Sequence, residues 1–313
     1  MSEFSEKSLH NKVKLNWIII SLLLVLGGIL LYFWHQKGFI GDSVILINET
    51  NFPDPIFRKY VQENFDTNKD GVLSKSEATA VTRINVNAPG GERISSLKGI
   101  EYFSELEYLD CGDNQLTTLD VSKNTKLDSL GCGSNQLTTL DLSKNIKLID
   151  LNCNYNQLTR LDLSKNTELT ELSCNSNQLT TLDVSKNTEL IYLDCFDNQL
   201  TTLDVSKNTG LTELYCGFNQ LTTLDVSKNT ELTKLSCYGN KLTTLDVSKN
   251  AELTSLSCSD NKLTTLDVSK NTELTELFCH NNQLTTLDVS KNIKLVSLSC
   301  DKNVAIKRFA IDA

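Results

Sequence analysis

The sequence predicts a mainly β repeat solenoid of stacked 21-residue coils, with short parallel strands on two faces. First, a leucine begins an equivalent unit every 21 residues from Leu106 to Leu295. Second, all ten cysteines occupy one position of that register, from Cys111 to Cys300. Third, apolar and polar residues alternate within each unit with the period of a β-strand. Because a single unit has too little apolar surface for its own core, the units must stack around a shared interior.

The unit reads LxxLxCxxNxLTTLDVSKNTE, so the motif LxxLxC is followed by a second one, LxxLxV. This pattern resembles the leucine-rich repeat, and the nested form is similar to the 21-residue, IRREKO-type or internalin-like repeats of bacterial surface proteins. The resemblance covers about two thirds of the chain. It implies parallel strands in successive coils and binding through the varied strand face.

Turn and core positions follow from the same register. Asparagines such as Asn114 and Asn124 fall where the chain turns, and their amides are expected to bond free backbone groups and those of the next coil. The cysteines are predicted to be small buried hydrophobes. In-register side chains keep the ~4.8 Å strand spacing, whereas a disulfide needs Cβ atoms ~3.8 Å apart. The absence of a CxxC motif argues against metal or redox roles.

The two halves of the unit differ in how much they vary. The LTTLDVSKN half is nearly constant, with an outward Asp column from Asp120 to Asp288 beside a Lys column from Lys123 to Lys291. Neighbouring opposite charges on a uniform surface favour a solvated, self-neutralised face. The LxxLxC half changes from coil to coil at its outward positions, as a binding surface requires.

A candidate binding surface lies on this varied half. Its residues are Tyr155, Tyr192, Phe196, Tyr215, Phe218, Tyr238, Phe278 and His280. Five of them, from Tyr192 to Tyr238, come from three successive coils and are expected to form one patch. Aromatic side chains on a Ser/Thr/Asp-rich surface are typical of interface anchors. The alternative is repeat drift that placed aromatics there without a function.

Residues 66–77, DTNKDGVLSKSE, resemble the calcium loop of EF-hand and dockerin proteins. Gly71 stands where that loop turns sharply. The resemblance implies ligands at Asp66, Asn68, Asp70, Val72 (through its carbonyl), Ser74 and Glu77. Hard oxygen donors in this order suit Ca²⁺ better than a transition metal. One structural calcium that stiffens the cap is therefore expected, and an empty loop is the alternative.

The segments around this loop predict a small helical cap. Asp54 and Pro55 form an N-cap and first helical position, and Ser74 with Glu77 can cap a short exit helix. The stretch VTRINV then places Ile84 and Val86 like an LxC pair. The first coil is expected to begin there.

Residues 15–34, LNWIIISLLLVLGGILLYFW, form an uncharged stretch of 20 residues, long enough for a transmembrane helix. Lys7, Lys12 and Lys14 precede it and Lys37 follows, so the positive-inside rule leaves the N-terminus in the cytoplasm and the repeats outside. A cleaved signal peptide is the alternative. The length of the apolar run and the lack of a cleavage site in YFWHQKGF favour an uncleaved anchor.

These features give a linear domain organisation. The predicted segments are a cytoplasmic N-terminus (1–14), a signal anchor (15–34), a linker (35–51), a helical cap (52–80), a first atypical coil (81–105), the solenoid (106–303) and a degraded terminal half-repeat (304–313).

Composition narrows the function. A formal charge of −9 without a basic stripe argues against a nucleic-acid partner. No nucleophile–base pair stands out and His280 is isolated in the sequence, so an enzyme is not expected. We expect a single-pass bacterial cell-surface protein that binds an extracellular macromolecule, with a protein as the expected partner, in an adhesin-like or receptor-like role. A carbohydrate-binding module and a structural protein that assembles end to end are the alternatives.

Overall fold

The computed structural model describes residues 44–308. From Ile45 onward, the described residues belong to one compact unit. The predicted signal anchor at 15–34 lies outside the described residues. Within the described part, no helix has the length and apolar character needed to cross a membrane.

The cap contains two short helices whose ends follow the sequence signals. Helix α1, Pro55–Asn64, begins after Asp54, whose carboxylate accepts hydrogen bonds from the Ile56 and Phe57 amides. Helix α2, Lys75–Ala80, begins after Ser74, which forms a reciprocal capping box with Glu77. A 3₁₀ turn, Ile100–Tyr102, follows later in the chain. The predicted N-caps of both helices are confirmed.

The described end of the segment predicted as a linker, 35–51, contains a short strand. Ile45–Leu46 forms strand β1, which pairs antiparallel with strand β2, Val72–Leu73. Strand β2 lies within the 66–77 loop, so a segment that precedes the cap pairs with the loop and supports it. No local pattern identifies this pairing, because two-residue strands carry almost no periodicity.

The repeats form an eleven-stranded parallel sheet, β3 to β12 followed by β14. The pairing is in register, so the central leucines of neighbouring strands face each other, as Leu193 faces Leu214. The strands are Arg83–Asn85, Tyr108–Asp110, Ser129–Gly131, Asp150–Asn152, Glu171–Ser173, Tyr192–Asp194, Glu213–Tyr215, Lys234–Ser236, Ser255–Ser257, Glu276–Phe278 and Ser297–Ser299. A mainly β solenoid of about eleven stacked turns is confirmed.

The second face differs from the prediction. Parallel strands occur there only at the end of the solenoid, where β13, Thr286–Asp288, pairs with β15, Ala305–Lys307. The prediction of strands on two faces is therefore wrong for the other described coils. The physical reason lies in the asparagines: Asn145 Nδ2, for example, donates to the Val121 and Asn124 carbonyls of the preceding coil. Side-chain amides thus join the coils on that side in place of a backbone ladder.

The interior consists of leucine, cysteine and valine side chains that are buried along the whole stack. Cys111 to Cys279 are buried free thiols, and Cys300 in the last coil is half-buried. Their role as small apolar side chains is confirmed. Another column of asparagines lies at the end of the varied half of each unit. In this column Asn198 Nδ2 donates to the Cys174, Cys195 and Phe196 carbonyls, and Asn198 Oδ1 accepts from the Leu179 amide.

Candidate binding surface

Two of the predicted aromatic residues project from neighbouring strands. Tyr192 in β8 stands opposite Glu213 in β9, and Asp194 stands opposite Tyr215. The Tyr192 and Tyr215 rings are 5.7 Å apart, centroid to centroid, with their planes tilted by 47°. Because alternate residues of a strand point to the same side, both rings lie on the solvent side of the sheet while Leu193 and Leu214 fill the core.

The other three rings gather at the turn that follows each cysteine. Phe196 lies 5.3 Å from Phe218 and 5.5 Å from Tyr238, and Phe218 lies 4.9 Å from Tyr238, measured between ring centroids. Edge-to-face and tilted pairs at these separations contribute about 0.5–1.5 kcal/mol each beyond area burial. We refer to Tyr192, Phe196, Tyr215, Phe218 and Tyr238 together as the aromatic patch.

Two glycines provide the space for this cluster. A Cβ on Gly217 would lie 3.0 Å from Tyr238 Cδ1 and 3.1 Å from Phe196 Cδ2. A Cβ on Gly239 would lie 2.7 Å from Phe218 Cδ1, and Gly239 also has a φ of +67°. The glycines therefore belong to the site although they contribute no side chain. The sequence could have indicated both glycines, because Gly217 precedes Phe218 and Gly239 follows Tyr238 in the varied half of the unit.

The backbone at Phe218 is strained. Its φ is +45°, at a turn position where most other coils place Asp, Ser or Asn. Short polar side chains tolerate this left-handed conformation, whereas it disfavours a bulky ring. Tyr155 occupies the same position with a φ of +47°. Strain retained at an exposed aromatic residue points to a role other than stability.

Carboxylates surround the patch. Asp194 accepts a hydrogen bond from the Phe196 amide at 3.0 Å, while desolvation by burial raises the pKa of this carboxyl group. Glu213 accepts from the Tyr215 hydroxyl at 2.7 Å and forms an ion pair with Lys234 at 3.0 Å. Burial of the phenol and the bond to Glu213 both raise the pKa of Tyr215, so this tyrosine stays protonated.

The remaining predicted residues lie apart from the patch. Tyr155 is 58% exposed, and none of the described rings stacks on it. Phe278 projects from β12, two strands beyond β10. His280 is not isolated in space, because its Nδ1 lies 3.0 Å from both the Ser259 and Ser299 hydroxyl oxygens. The eight residues thus comprise the aromatic patch, made of two groups of contacting rings on successive coils, and three outlying positions.

Exposed aliphatic residues extend the apolar surface, and the sequence reasoning missed them. Ile191 is 47% exposed and directly precedes Tyr192, and Ile149 is 44% exposed at the same position two coils earlier. Five of the ten units carry threonine at this position, including the one between them with Thr170, so each isoleucine interrupts a mostly polar column. That departure from the repeat was the available signal.

The loop at 66–77, predicted to bind calcium, is folded by hydrogen bonds to its own side chains. The carboxylate of Asp66 accepts hydrogen bonds from the Asp70 and Gly71 amides, at 3.1 and 2.9 Å. Gly71 adopts a φ of +77°, which permits the sharp turn. Asn68 Oδ1 accepts from the Asp70 amide. These contacts fold the loop around the oxygen atoms of its first half.

Glu77 is oriented differently. Its Oε1 accepts from the Thr67 amide and hydroxyl, and its Oε2 accepts from the Ser74 amide and hydroxyl. Desolvation raises the pKa of this carboxyl group, but the four hydrogen bonds outweigh it and lower the pKa to about 2. Within residues 44–308, no group of three or more His, Cys, Asp or Glu side chains converges to hold a metal ion. The donor chemistry suits calcium, whereas the Glu77 carboxylate would have to turn to reach it.

Comparisons with known proteins agree with this architecture. A family model described as "Leucine Rich repeats (2 copies)" matches residues 188–229, which include most of the aromatic patch. No curated protein matches the chain.

Solved structures give broader matches. The functional domain of InlJ from Listeria monocytogenes, described as including a cysteine ladder, is 36% identical over 84% of this chain, with a TM-score of 0.71. The chain spans 63% of the length of that domain. The internalin inlF from Listeria monocytogenes covers 85% of this chain, and 94% of its own length is matched, at 23% identity and a TM-score of 0.55.

A receptor structure has a similar fold. The leucine-rich repeat ectodomain of the plant membrane receptor kinase GASSHO1/SCHENGEN3 from Arabidopsis thaliana was solved in complex with CASPARIAN STRIP INTEGRITY FACTOR 2. It is 25% identical over 72% of this chain and 29% of its own length, with a TM-score of 0.62. The leucine-rich repeat solenoid is typical of non-enzymatic interaction proteins. The buried cysteine column, the in-register sheet and these matches together identify the chain as a leucine-rich repeat protein of internalin-like architecture.

Proposed function

We propose that this chain is a surface-anchored binding module that captures an extracellular protein through the aromatic patch, in an adhesin-like or receptor-like role. One observation carries the proposal: five aromatic side chains from three successive coils form two neighbouring groups of contacting rings, Tyr192 with Tyr215 and Phe196 with Phe218 and Tyr238, on an otherwise polar, repeated surface. Large rigid rings supply contact area at little entropic cost, which is why they dominate interface energetics.

The departures from the repeat support this role. Phe218 keeps an unfavourable left-handed backbone, half of its surface exposed to solvent. Gly217 and Gly239 leave room for rings of neighbouring coils. Stability alone favours Asn or Asp at such a turn, so these residues are best explained by contact with a partner. The receptor ectodomain solved with a bound factor offers a precedent for binding by this type of fold.

Anchoring and location rest on the sequence. The uncharged stretch at 15–34 is proposed to hold the chain in the bacterial membrane as a single span, with the N-terminus in the cytoplasm and the repeats outside. The proposed domains keep the residue ranges predicted from the sequence, from the cytoplasmic segment 1–14 to the terminal half-repeat 304–313. This arrangement would present the varied face to partners outside the cell.

Calcium is proposed as a structural ion of the cap. Asp66, Asn68, Asp70, the Val72 carbonyl, Ser74 and Glu77 would hold it. Bound calcium would supply positive charge for the loop oxygens and no chemistry of its own. The pairing of β1 with β2 ties this loop to a segment that precedes it, so a stiffened loop would also hold that segment in place.

The proposal is tested by capture of partners from an extracellular protein library. The full chain in detergent micelles is compared with a variant in which all five patch residues are changed to serine. A matched control changes the outlying Tyr155 and Phe278 to serine on the same face. We expect a protein captured by the wild type and the control but lost in the patch variant. Capture that the patch variant retains would overturn the proposed site.

Two further arms separate the alternatives. Binding of the same proteins to a glycan array, with loss in the patch variant, would assign the patch to a carbohydrate and contradict a protein ligand. Self-association that rises with concentration, without any captured protein or glycan, would favour a structural protein.

A further inference from the structure

The aromatic patch has an electrostatic character that narrows its partner. Four carboxylates lie beside its rings: Glu171 and Glu213 stand on either side of Tyr192 in the sheet, Asp194 stands opposite Tyr215, and Asp197 directly follows Phe196. The electrostatic influence of these groups extends to Tyr192, Tyr215 and Tyr238. The patch is therefore both aromatic and acidic.

Few cations balance these charges. Lys234 forms its ion pair with Glu213, and Lys241 at the following turn donates to Gln220 at 3.2 Å. Among the described residues, Asp194 receives one hydrogen bond, from the Phe196 amide, and forms no ion pair. Asp194 is half-buried, stands opposite Tyr215 in the sheet and precedes Phe196 by two residues, and its other carboxylate oxygen makes no hydrogen bond among the described residues. Charge complementarity calls for a cation from the partner.

We propose that the patch receives a basic, arginine-bearing segment of a protein, with a guanidinium group stacked on Tyr192 or Tyr215 and paired with Asp194. This inference rests on the proposed function and adds the chemistry of the partner. A guanidinium group is planar, stacks on aromatic faces and donates in parallel to a carboxylate, whereas an ammonium group does only part of this. Phe196, Phe218 and Tyr238 would hold an apolar side chain of the same segment.

The first arm of the test selects the ligand without assuming a partner. A bead library of decapeptides with blocked termini is screened with the labelled full chain in detergent. We expect arginine to be enriched among peptides that bind the wild type and not the five-serine variant. A library that yields no such peptide, or yields peptides without basic residues, overturns the inference.

The second arm measures the charge contribution. A selected peptide is compared with its citrulline analogue, which keeps the shape of arginine and removes the charge. Loss of one charge-assisted contact is expected to weaken binding roughly tenfold. The double substitution Asp194→Asn and Asp197→Asn is expected to produce a similar loss. Equal affinity for the two peptides, or an unchanged affinity of the variant, contradicts the proposal.

The first regular repeat, which begins at Leu106, offers a matched control for this variant. Asp110 and Asp113 occupy the same two repeat positions, and Asp110 accepts from the Gly112 amide at 3.1 Å as Asp194 does from Phe196. The double substitution Asp110→Asn and Asp113→Asn changes the net charge equally and is expected to leave peptide affinity unchanged. Capture of proteins through the patch without any dependence on arginine would overturn this inference and leave the proposed function standing.

Discussion

The rings of Phe196 and Tyr238 lie 5.5 Å apart although their residues belong to coils separated by a third. Gly217 stands between them in that third coil, and a Cβ there would come within 3.0 Å of the Tyr238 carbonyl oxygen as well as its ring. The missing side chain therefore allows two alternate coils to share one aromatic surface. Because of this glycine, the aromatic residues Phe196, Phe218 and Tyr238, which depart from the repeat in three successive coils, form one cluster.

Replacing Gly217 with alanine is expected to push these rings apart. The Cβ would crowd backbone as well as side-chain atoms, so we expect a loss of about 1–3 kcal/mol in unfolding free energy, as for other overpacked sites. Urea denaturation followed by circular dichroism measures it. Gly210→Ala is the control, since the only atom near its Cβ would be the Leu190 carbonyl oxygen at 4.0 Å. Equal stability of the two variants would refute the role of Gly217.

Tyr155→Asn is expected to stabilise the chain. Asparagine tolerates the left-handed conformation at this position, and the exposed ring has no stacked neighbour among the described residues. We expect a gain of about 1 kcal/mol from relief of backbone strain. Phe218→Asn should gain less, because it also loses ring contacts with Phe196 and Tyr238. A lower unfolding midpoint for Tyr155→Asn would contradict the strain argument.

The two asparagines of one coil are expected to differ in their importance. Asn198 makes four hydrogen bonds and Asn208 makes two, to the Val184 and Asn187 carbonyls, while the buried Asn208 Oδ1 has no partner in the described part of the chain. Alanine at Asn198 should cost about 3 kcal/mol, because several buried groups lose their partners. Alanine at Asn208 should cost less, since it also removes an unpaired oxygen. If urea denaturation showed a larger loss of unfolding free energy for Asn208→Ala than for Asn198→Ala, this explanation would be wrong.

Calcium should stabilise the cap. At a concentration 100 times the dissociation constant, an ion bound only to the folded state adds about 2.7 kcal/mol of unfolding free energy. Glu77→Gln should remove this increment, which is measured as the calcium-dependent rise in the thermal midpoint. Its lower midpoint without calcium is expected separately, because Glu77 also caps helix α2. Glu63→Gln, at the solvent-exposed end of helix α1, is the control. An increment that survives Glu77→Gln would exclude this residue as a ligand.

Because its cysteine thiols are buried, the chain is expected to lose stability in alkaline solution. Desolvation by burial raises the pKa of Cys153 and Cys237 to about 12. In the unfolded chain these thiols ionise near pH 8.5, so above that pH the unfolded state binds fewer protons and is favoured. The stabilising contribution is therefore complete below about pH 8.5 and falls as the pH rises toward 12. Cys153→Ala should flatten the slope of unfolding free energy against pH, and an unchanged slope would contradict this explanation.

Thiol alkylation gives an independent check. Cys300 is half-buried in the last coil, whereas Cys195 is fully buried. Since the thiolate is the reactive form, iodoacetamide at neutral pH should modify Cys300 in the folded chain and leave Cys195 intact. Peptide mass spectrometry measures both. Equal modification of the two would mean that the coils open readily.

The sequence by itself determined the solenoid, its register and its buried columns, because each apolar position recurs every 21 residues and leaves one way to stack. It also identified the helix caps at Asp54 and Ser74, which depend on contacts within a few residues. The five patch residues were identifiable as departures from a constant pattern. Such local and periodic features can be predicted from the sequence because every repeat places the same type of residue at the same position.

Only the tertiary structure decided how the coils are joined and how the patch is built. Asparagine amides replace the backbone ladder on the second face, and β1 pairs with β2 in the 66–77 loop. Glu77 also turns to Thr67, and Phe196 meets Tyr238 across Gly217. Each of these contacts depends on the distance between segments of the folded chain and on the direction of the side chains. The spacing of residues along the sequence gives neither quantity, so they become known only from the three-dimensional packing.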